Sequence, residues 1–280
     1  MRFAQSSFVY FNFPVQEAVR RLHRYGYQGL ELWGGRPHTY RHDLDHQLAE
    51  IRLLLDQLGM SIPNYIPAQF RYPTCLCSTN EAIRVDSVNY IKDSIQTARR
   101  LGAPSVSLCA GMTIFGEDLD KSWAQLRQSV TDLLDDTEQS DLLLLIEPAH
   151  AAESRLVRTV SDGLRLIGEI NSPRLGILLD TGHCNVNGEN LADTVRSLRG
   201  VPLHIHIDDN TGESDTHMIP GQGKIDFAPF VQALKDVGYR GFVSAELGFQ
   251  YTLDPDTAVA QTYMALTRLF GIQSCFDPQS

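Results

Sequence analysis

Four short apolar runs, Leu142–Ile146, Leu175–Leu179, Val201–Ile205 and Phe242–Ala245, have the length and the leucine-rich or β-branched content of buried strands. Similar runs begin near Phe3, Gly29, Ile62 and Ser105. Between and after them lie stretches with apolar residues three and four positions apart, the spacing of one helix face. These predict helices over Val15–Tyr25, Asp45–Leu58, Asn80–Arg100, Leu119–Glu138, Val160–Glu169, Ala192–Leu198, Phe227–Val237 and Asp256–Phe270. Strand and helix alternate from end to end, the pattern of a parallel sheet covered by helices. Eight of each closes an α/β fold of the (β/α)8 TIM-barrel type. The turn Tyr25-Gly26-Tyr27-Gln28-Gly29-Leu30 reappears as Val237-Gly238-Tyr239-Arg240-Gly241-Phe242, as expected when one unit is reused around a ring.

No Pro/Ser-rich linker or low-complexity stretch interrupts the 280 residues, so residues 1–280 are expected to form a single domain. A formal net charge of −10 disfavours nucleic acid and anionic membranes, both of which reward clustered Lys and Arg. A small neutral or cationic partner fits better. The first residues hold no long apolar segment and no cleavage signal, and no run reaches the ~20 apolar residues of a membrane span, so a cytoplasmic protein is expected. The five cysteines, Cys75, Cys77, Cys109, Cys184 and Cys275, form no disulfide framework; Cys75 and Cys77 are read as structural or incidental.

The chemistry sits immediately after the apolar runs. Glu147, Asp180, His206 and Glu246 each follow one. In a barrel these positions share the C-terminal face, where active sites lie. Two glutamates, an aspartate and an imidazole form a hard, mostly oxygen donor set for one divalent cation, with Mn2+ first and Mg2+, Co2+, Ni2+ or Zn2+ as alternatives. His204 and His206 face the same way along their strand, with His206 nearer the catalytic mouth. His183, beyond the end of the sixth strand, can donate to a substrate oxygen or add a ligand. Glu147 and Glu246, three strands apart, can flank a bound molecule as an acid/base pair. One removes a proton from a carbon and the other returns it to the opposite face, while the cation stabilises the enediolate.

The strand-end Glu, Asp-x-x-His, His-x-His and Glu, in that order, resemble the xylose-isomerase-like sugar isomerase/epimerase superfamily. In its ketose 3-epimerase branch the four ligands match Glu147, Asp180, His206 and Glu246, with the two glutamates as the acid/base pair. The resemblance puts substrate-binding roles on His183, Glu153 and His217, the last replacing an Arg of the free-ketohexose enzymes. Glu31-Leu32-Trp33-Gly34-Gly35-Arg36-Pro37-His38 and Ser214–Gly223 look most like the bacterial fructoselysine 3-epimerases. The resemblance therefore implies C3 inversion of a ketose or fructosamine, with Trp33, Arg36 and His38 lining the substrate. It leaves a homo-oligomer open. Two rivals remain. An aldose–ketose or hydroxypyruvate-type isomerase uses the same enediolate but returns the proton to the neighbouring carbon. An abasic-site endonuclease-like phosphodiesterase is suggested by Asp215-Thr216-His217, yet that branch needs histidines after strands two to four, and Ile62–Ala68 and Ser105–Met112 contain none.

Overall fold

The computed structural model describes residues 1–69, 74–138 and 140–273. Eight parallel strands, β1 (Arg2–Ser6), β2 (Gly29–Gly34), β3 (Tyr65–Pro67), β4 (Ser105–Leu108), β5 (Leu143–Ile146), β6 (Leu175–Asp180), β7 (Leu203–Ile207) and β8 (Phe242–Ala245), close into one barrel in chain order. Its helices are α1 (Val15–Arg24), α2 (Leu48–Leu58), α3 (Glu81–Leu101), α4 (Leu119–Asp136), α5 (Val160–Ile170), α6 (Thr181–Val186), α7 (Leu191–Ser197), α8 (Phe227–Asp236) and α9 (Pro255–Phe270). The expected TIM barrel is present. No helix among the described residues is long and apolar enough to cross a membrane.

α2 begins at Leu48 rather than Asp45 and β7 at Leu203 rather than Val201, and two further differences have a clear physical reason. β3 starts at Tyr65 rather than Ile62, because Pro63 has no N–H to give to a ladder. Only Ser61 forms an earlier, isolated bridge, to Gly29. The short α6 is too polar to show periodicity; Asp180 starts it by accepting from the His183 N–H.

Alternation along the strands separates two cores. Leu30, Leu32, Ile177, Leu179, Ile205 and Ile207 are fully buried in the apolar core, and Phe3 meets Tyr263 and Phe270 of α9 edge-on. The barrel's own interior is unusually polar, since such interiors are dominated by branched aliphatics. Glu31, Asn64, Ser105, His204 and Ser244 are all buried. Most of their polar atoms find partners among themselves: Asn64 Nδ2 donates to Glu31 Oε1 at 2.7 Å, Ser105 Oγ to Asn64 Oδ1 at 2.7 Å, and His204 Nε2 lies 3.0 Å from Ser244 Oγ, while Glu31 Oε2 has no hydrogen-bond partner and sits 3.3 Å from His204 Nε2. Buried polar groups without such partners would be costly.

The Cys75 and Cys77 thiols lie 3.5 Å apart and donate to the Met112 and Gly111 carbonyls, which ties the third loop to the fourth. Cys275 lies outside the described residues.

Candidate active site

β5 to β8 carry Glu147, Asp180, His206 and Glu246 to one point at the C-terminal mouth. One ligand atom from each lies within 4.8 Å of the others. His206 Nδ1 is 2.8 Å from Glu246 Oε2, 3.6 Å from Glu147 Oε1 and 3.7 Å from Asp180 Oδ2. His206 Nδ1 and Asp180 Oδ2 are buried and have no hydrogen-bond partner. A buried polar atom left unpaired costs about 1–3 kcal/mol, and converging carboxylates repel one another. A divalent cation among these donors answers both, so the residues fit one.

The Asp-x-x-His spacing has a local cause. Asp180 uses Oδ1 to cap α6 through the His183 N–H at 2.8 Å, which leaves Oδ2 facing the cluster. Gly182 lies between them because a Cβ there would come within 2.5 Å of Asp208 Oδ1 and 2.7 Å of Asp215 Oδ1. Without a cation, burial is opposed by charge throughout. Burial pulls His206 down, but the Glu31 and Glu246 carboxylates outweigh it and hold the imidazole well above its ordinary range. Burial would raise Glu246, but His206 keeps it lowered; burial and the nearby Asp208 raise Asp180 well above the usual range.

A cavity of about 310 Å³ opens above these ligands. His183, Glu153 and His217 line it. His183 Nδ1 is 3.1 Å from the Pro148 carbonyl, and its Nε2 lies 3.3 Å from Asp215 Oδ2 and 4.0 Å from Glu153 Oε2. His217 stands between two aspartates, Nδ1 at 2.6 Å from Asp208 Oδ2 and Nε2 at 2.8 Å from Asp215 Oδ2. Burial alone would lower the His217 pKa; Asp208 and Asp215 overcome it and hold the ring well above its ordinary value. The two aspartates thus favour the charged form of His217.

Sequence reasoning missed His150, Asp208 and Asp209. His150 also lines the cavity, its ring 5.3 Å from that of His183; its signal was its place three residues beyond Glu147. Asp209 organises loop seven, the segment 208–226 between β7 and α8. Its fully buried carboxylate accepts from Asn210 N, Gly221 N, Gly223 N and Ile225 N at 2.8–3.1 Å. An antiparallel bridge from Asp209 to Met218 closes the same loop, which carries Asp215 and His217 to the cavity.

The Trp-Gly-Gly-Arg-Pro-His string divides. Trp33 lines the cavity with Phe8 and Phe249, and Phe8 packs edge-on against both. Arg36 and His38 do not reach it. Arg36 is exposed, paired with Asp43 at 2.6 Å and laid over the Tyr40 ring. His38 is wholly buried between Ser7 Oγ at 3.0 Å and the Phe13 carbonyl at 3.1 Å. Gly35 is required because a Cβ would fall 2.1 Å from the Trp33 ring. Much of the string therefore shapes the turn.

His38 supplies a stability test. Burial lowers its pKa from 6.5 to about 4. Between these values the unfolded chain binds the extra proton, so this group's contribution is full above pH 6.5 and is lost as pH falls towards 4. The loss amounts to about 3 kcal/mol at roughly 1.4 kcal/mol per pH unit. Denaturant melts of His38→Gln should lose less stability than the wild type between pH 7 and 4.5; parallel losses would remove His38 from the account.

Residues 19–268 match the Xylose isomerase-like TIM barrel family. The fructoselysine 3-epimerase of Shigella flexneri is 30% identical over 243 residues, 86% of this chain and 88% of that protein. The D-psicose 3-epimerase of Enterocloster bolteae is 27% identical over 70% of this chain and 64% of its own length. The crystal structure of D-allulose 3-epimerase from Methylomonas sp. in complex with D-allulose superposes with a TM-score of 0.79 at 19% identity, covering 96% of each chain. The chain belongs to the xylose isomerase-like TIM barrel family and stands within it among the carbohydrate epimerases, a class of isomerases.

Proposed function

We propose that this protein is a divalent-metal-dependent epimerase that inverts C3 of a ketose or fructosamine of the fructoselysine type. The observation that carries the reading is the convergence of Glu147 and Glu246 on His206 Nδ1 from strands three apart. A sugar held between them presents one face of C3 to each carboxylate. One carboxylate takes the C3 proton, the carbonyl and C3 share the charge as an enediolate, and the other carboxylic acid returns a proton to the far face. Glu147, Asp180, His206 and Glu246 would hold the cation, Mn2+ first, which when bound polarises the carbonyl beside C3. His183 and His217 orient the sugar oxygens.

The cavity's composition favours an amine-bearing substrate. Beyond Glu147 and Glu246, which hold the cation, Glu153 and the His217-paired Asp215 line it, with no Lys or Arg among the described lining residues. That surface suits the secondary ammonium of a fructosamine, and the faces of Trp33 and Phe8 suit a cation as well. Incubation of Mn2+-loaded protein in D₂O with a panel of ketoses and fructosamines, read by NMR, tests the proposal. Deuterium at C3 with inverted product is expected, fastest on a fructosamine. Label at C1 or C2 would replace epimerisation by aldose–ketose isomerisation, and no exchange on any sugar would refute both.

A further inference from the structure

The polar interior of the barrel contains a carboxylate that the proposed reaction does not use. Glu31 is fully buried on β2, beneath the ligand cluster. No Lys or Arg pairs with it among the described residues. Its Oε1 accepts from Asn64 Nδ2 at 2.7 Å and lies 2.9 Å from His206 Nε2, and its Oε2 is 3.3 Å from His204 Nε2. Asn64 is fixed in turn by Ser105, and His204 by Ser244. A buried carboxylate is expensive unless paired and hydrogen-bonded. Five polar side chains from β4, β7, β8 and the segment before β3 thus surround one anion, where aliphatic packing would suffice for a barrel.

We infer that Glu31 is the positioning residue of the cation site: it accepts the Nε2 proton of His206 and so presents Nδ1, unprotonated, to the cation. The arrangement has a geometric logic. An imidazole offers one donor nitrogen and one acceptor nitrogen when neutral. With Nε2–H committed to Glu31, Nδ1 has its lone pair on the side where Glu147, Asp180 and Glu246 converge. The carboxylate also makes the ring more electron-rich and stops it rotating. His204, the other histidine of the His-x-His pair, stands beside the same device: its Nε2 lies 3.3 Å from the second Glu31 oxygen, which has no hydrogen-bond partner, and 3.0 Å from Ser244 Oγ. The strand alternation that puts both rings inside the barrel is what lets one glutamate serve both.

The inference rests on the cation site of the proposed function, and the experiment separates the two. Co2+ affinity is measured by chelator competition for wild type, Asp180→Asn, Glu31→Gln and Glu31→Leu. Long-range ¹H–¹⁵N spectra of the Zn2+-loaded wild type and Glu31 variants report which His206 nitrogen carries the proton. The isosteric Gln keeps an acceptor but loses the charge, so affinity should fall about tenfold with the proton still on Nε2. Leu removes the acceptor, and the loss should approach 100-fold, with the ring no longer in a single tautomer. A wild type that binds no Co2+ would sink the cation site itself. Wild-type binding together with undiminished affinity in Glu31→Leu, or a wild-type spectrum with the proton on Nδ1, would overturn the role of Glu31 alone. If the Leu variant fails to fold, the wild-type spectrum still decides.

Discussion

Replacing either Glu147 or Glu246 by Gln should lower kcat by at least roughly 10²–10⁴-fold, the usual contribution of a general acid or base, with the loss of a ligand added to it. The two variants should differ in kind. Each keeps one carboxylate, so each can still touch one face of C3. A Gln variant is therefore expected to exchange the C3 proton of one epimer of the substrate with solvent while forming almost no product of the other. Measuring deuterium wash-in separately from inversion, starting from each epimer, distinguishes the glutamates by face. Inversion at near wild-type rate in either variant would rule out the paired mechanism. Loss of both processes to the same degree, with Co2+ binding also lost, would make that glutamate a ligand before it is a base.

Asp209→Ala is expected to combine a large loss of stability with a loss of activity, although Asp209 is not among the residues lining the cavity. Its two oxygens accept from the N–H groups of Asn210, Gly221, Gly223 and Ile225. Removing a charged acceptor strands several backbone donors, each worth about 1–3 kcal/mol when left unpaired. Water entering the loosened loop offsets part of this, so a net cost of about 3 kcal/mol is the expectation. Loop seven also carries Asp215 and His217, and their release should raise KM and cut kcat/KM by about tenfold or more, the scale of a small misplacement. Asp209→Asn, which keeps one acceptor oxygen, should fall between the two. A thermal melt beside steady-state kinetics checks both effects, and wild-type values in each would show that the loop is held by other contacts.

The residues that the sequence revealed and those it hid differ for physical reasons. Apolar runs mark strands because both faces of a parallel barrel strand are covered, and an acid straight after such a run cannot be core. That is why Glu147, Asp180, His206 and Glu246 were legible and meet in space. Pro63 shortened β3 although Ile62 continues the apolar pattern, because ladder bonds depend on an N–H and not on hydropathy. The motif's specificity predicts that Arg36 and His38 line the substrate. The structure gives them a salt bridge and a buried turn instead, since a distinctive string can be demanded by a tight loop as well as by a ligand. Asp209 and Glu31 act through side-chain contacts to residues 12 to 16 and 175 positions away, respectively. Such contacts leave no periodic trace.

The catalytic ligands come from β5 to β8, while much of the cavity wall, Phe8, Trp33, Ile66, Gln69 and Cys109, comes from β1 to β4 and their loops. The chain therefore divides its labour along its length. Mutations at Phe8, Trp33 or Ile66 can reshape what enters while leaving the four ligands in place, whereas Cys109 donates to Glu147 Oε2 at 3.7 Å and is tied to the groups that move the proton. Descent with new preferences can proceed one wall residue at a time from a working enzyme. Glu31 is a residue of the early half that a changing lineage must keep, with Asn64 that holds it, because it reaches across the barrel to the later half's histidine.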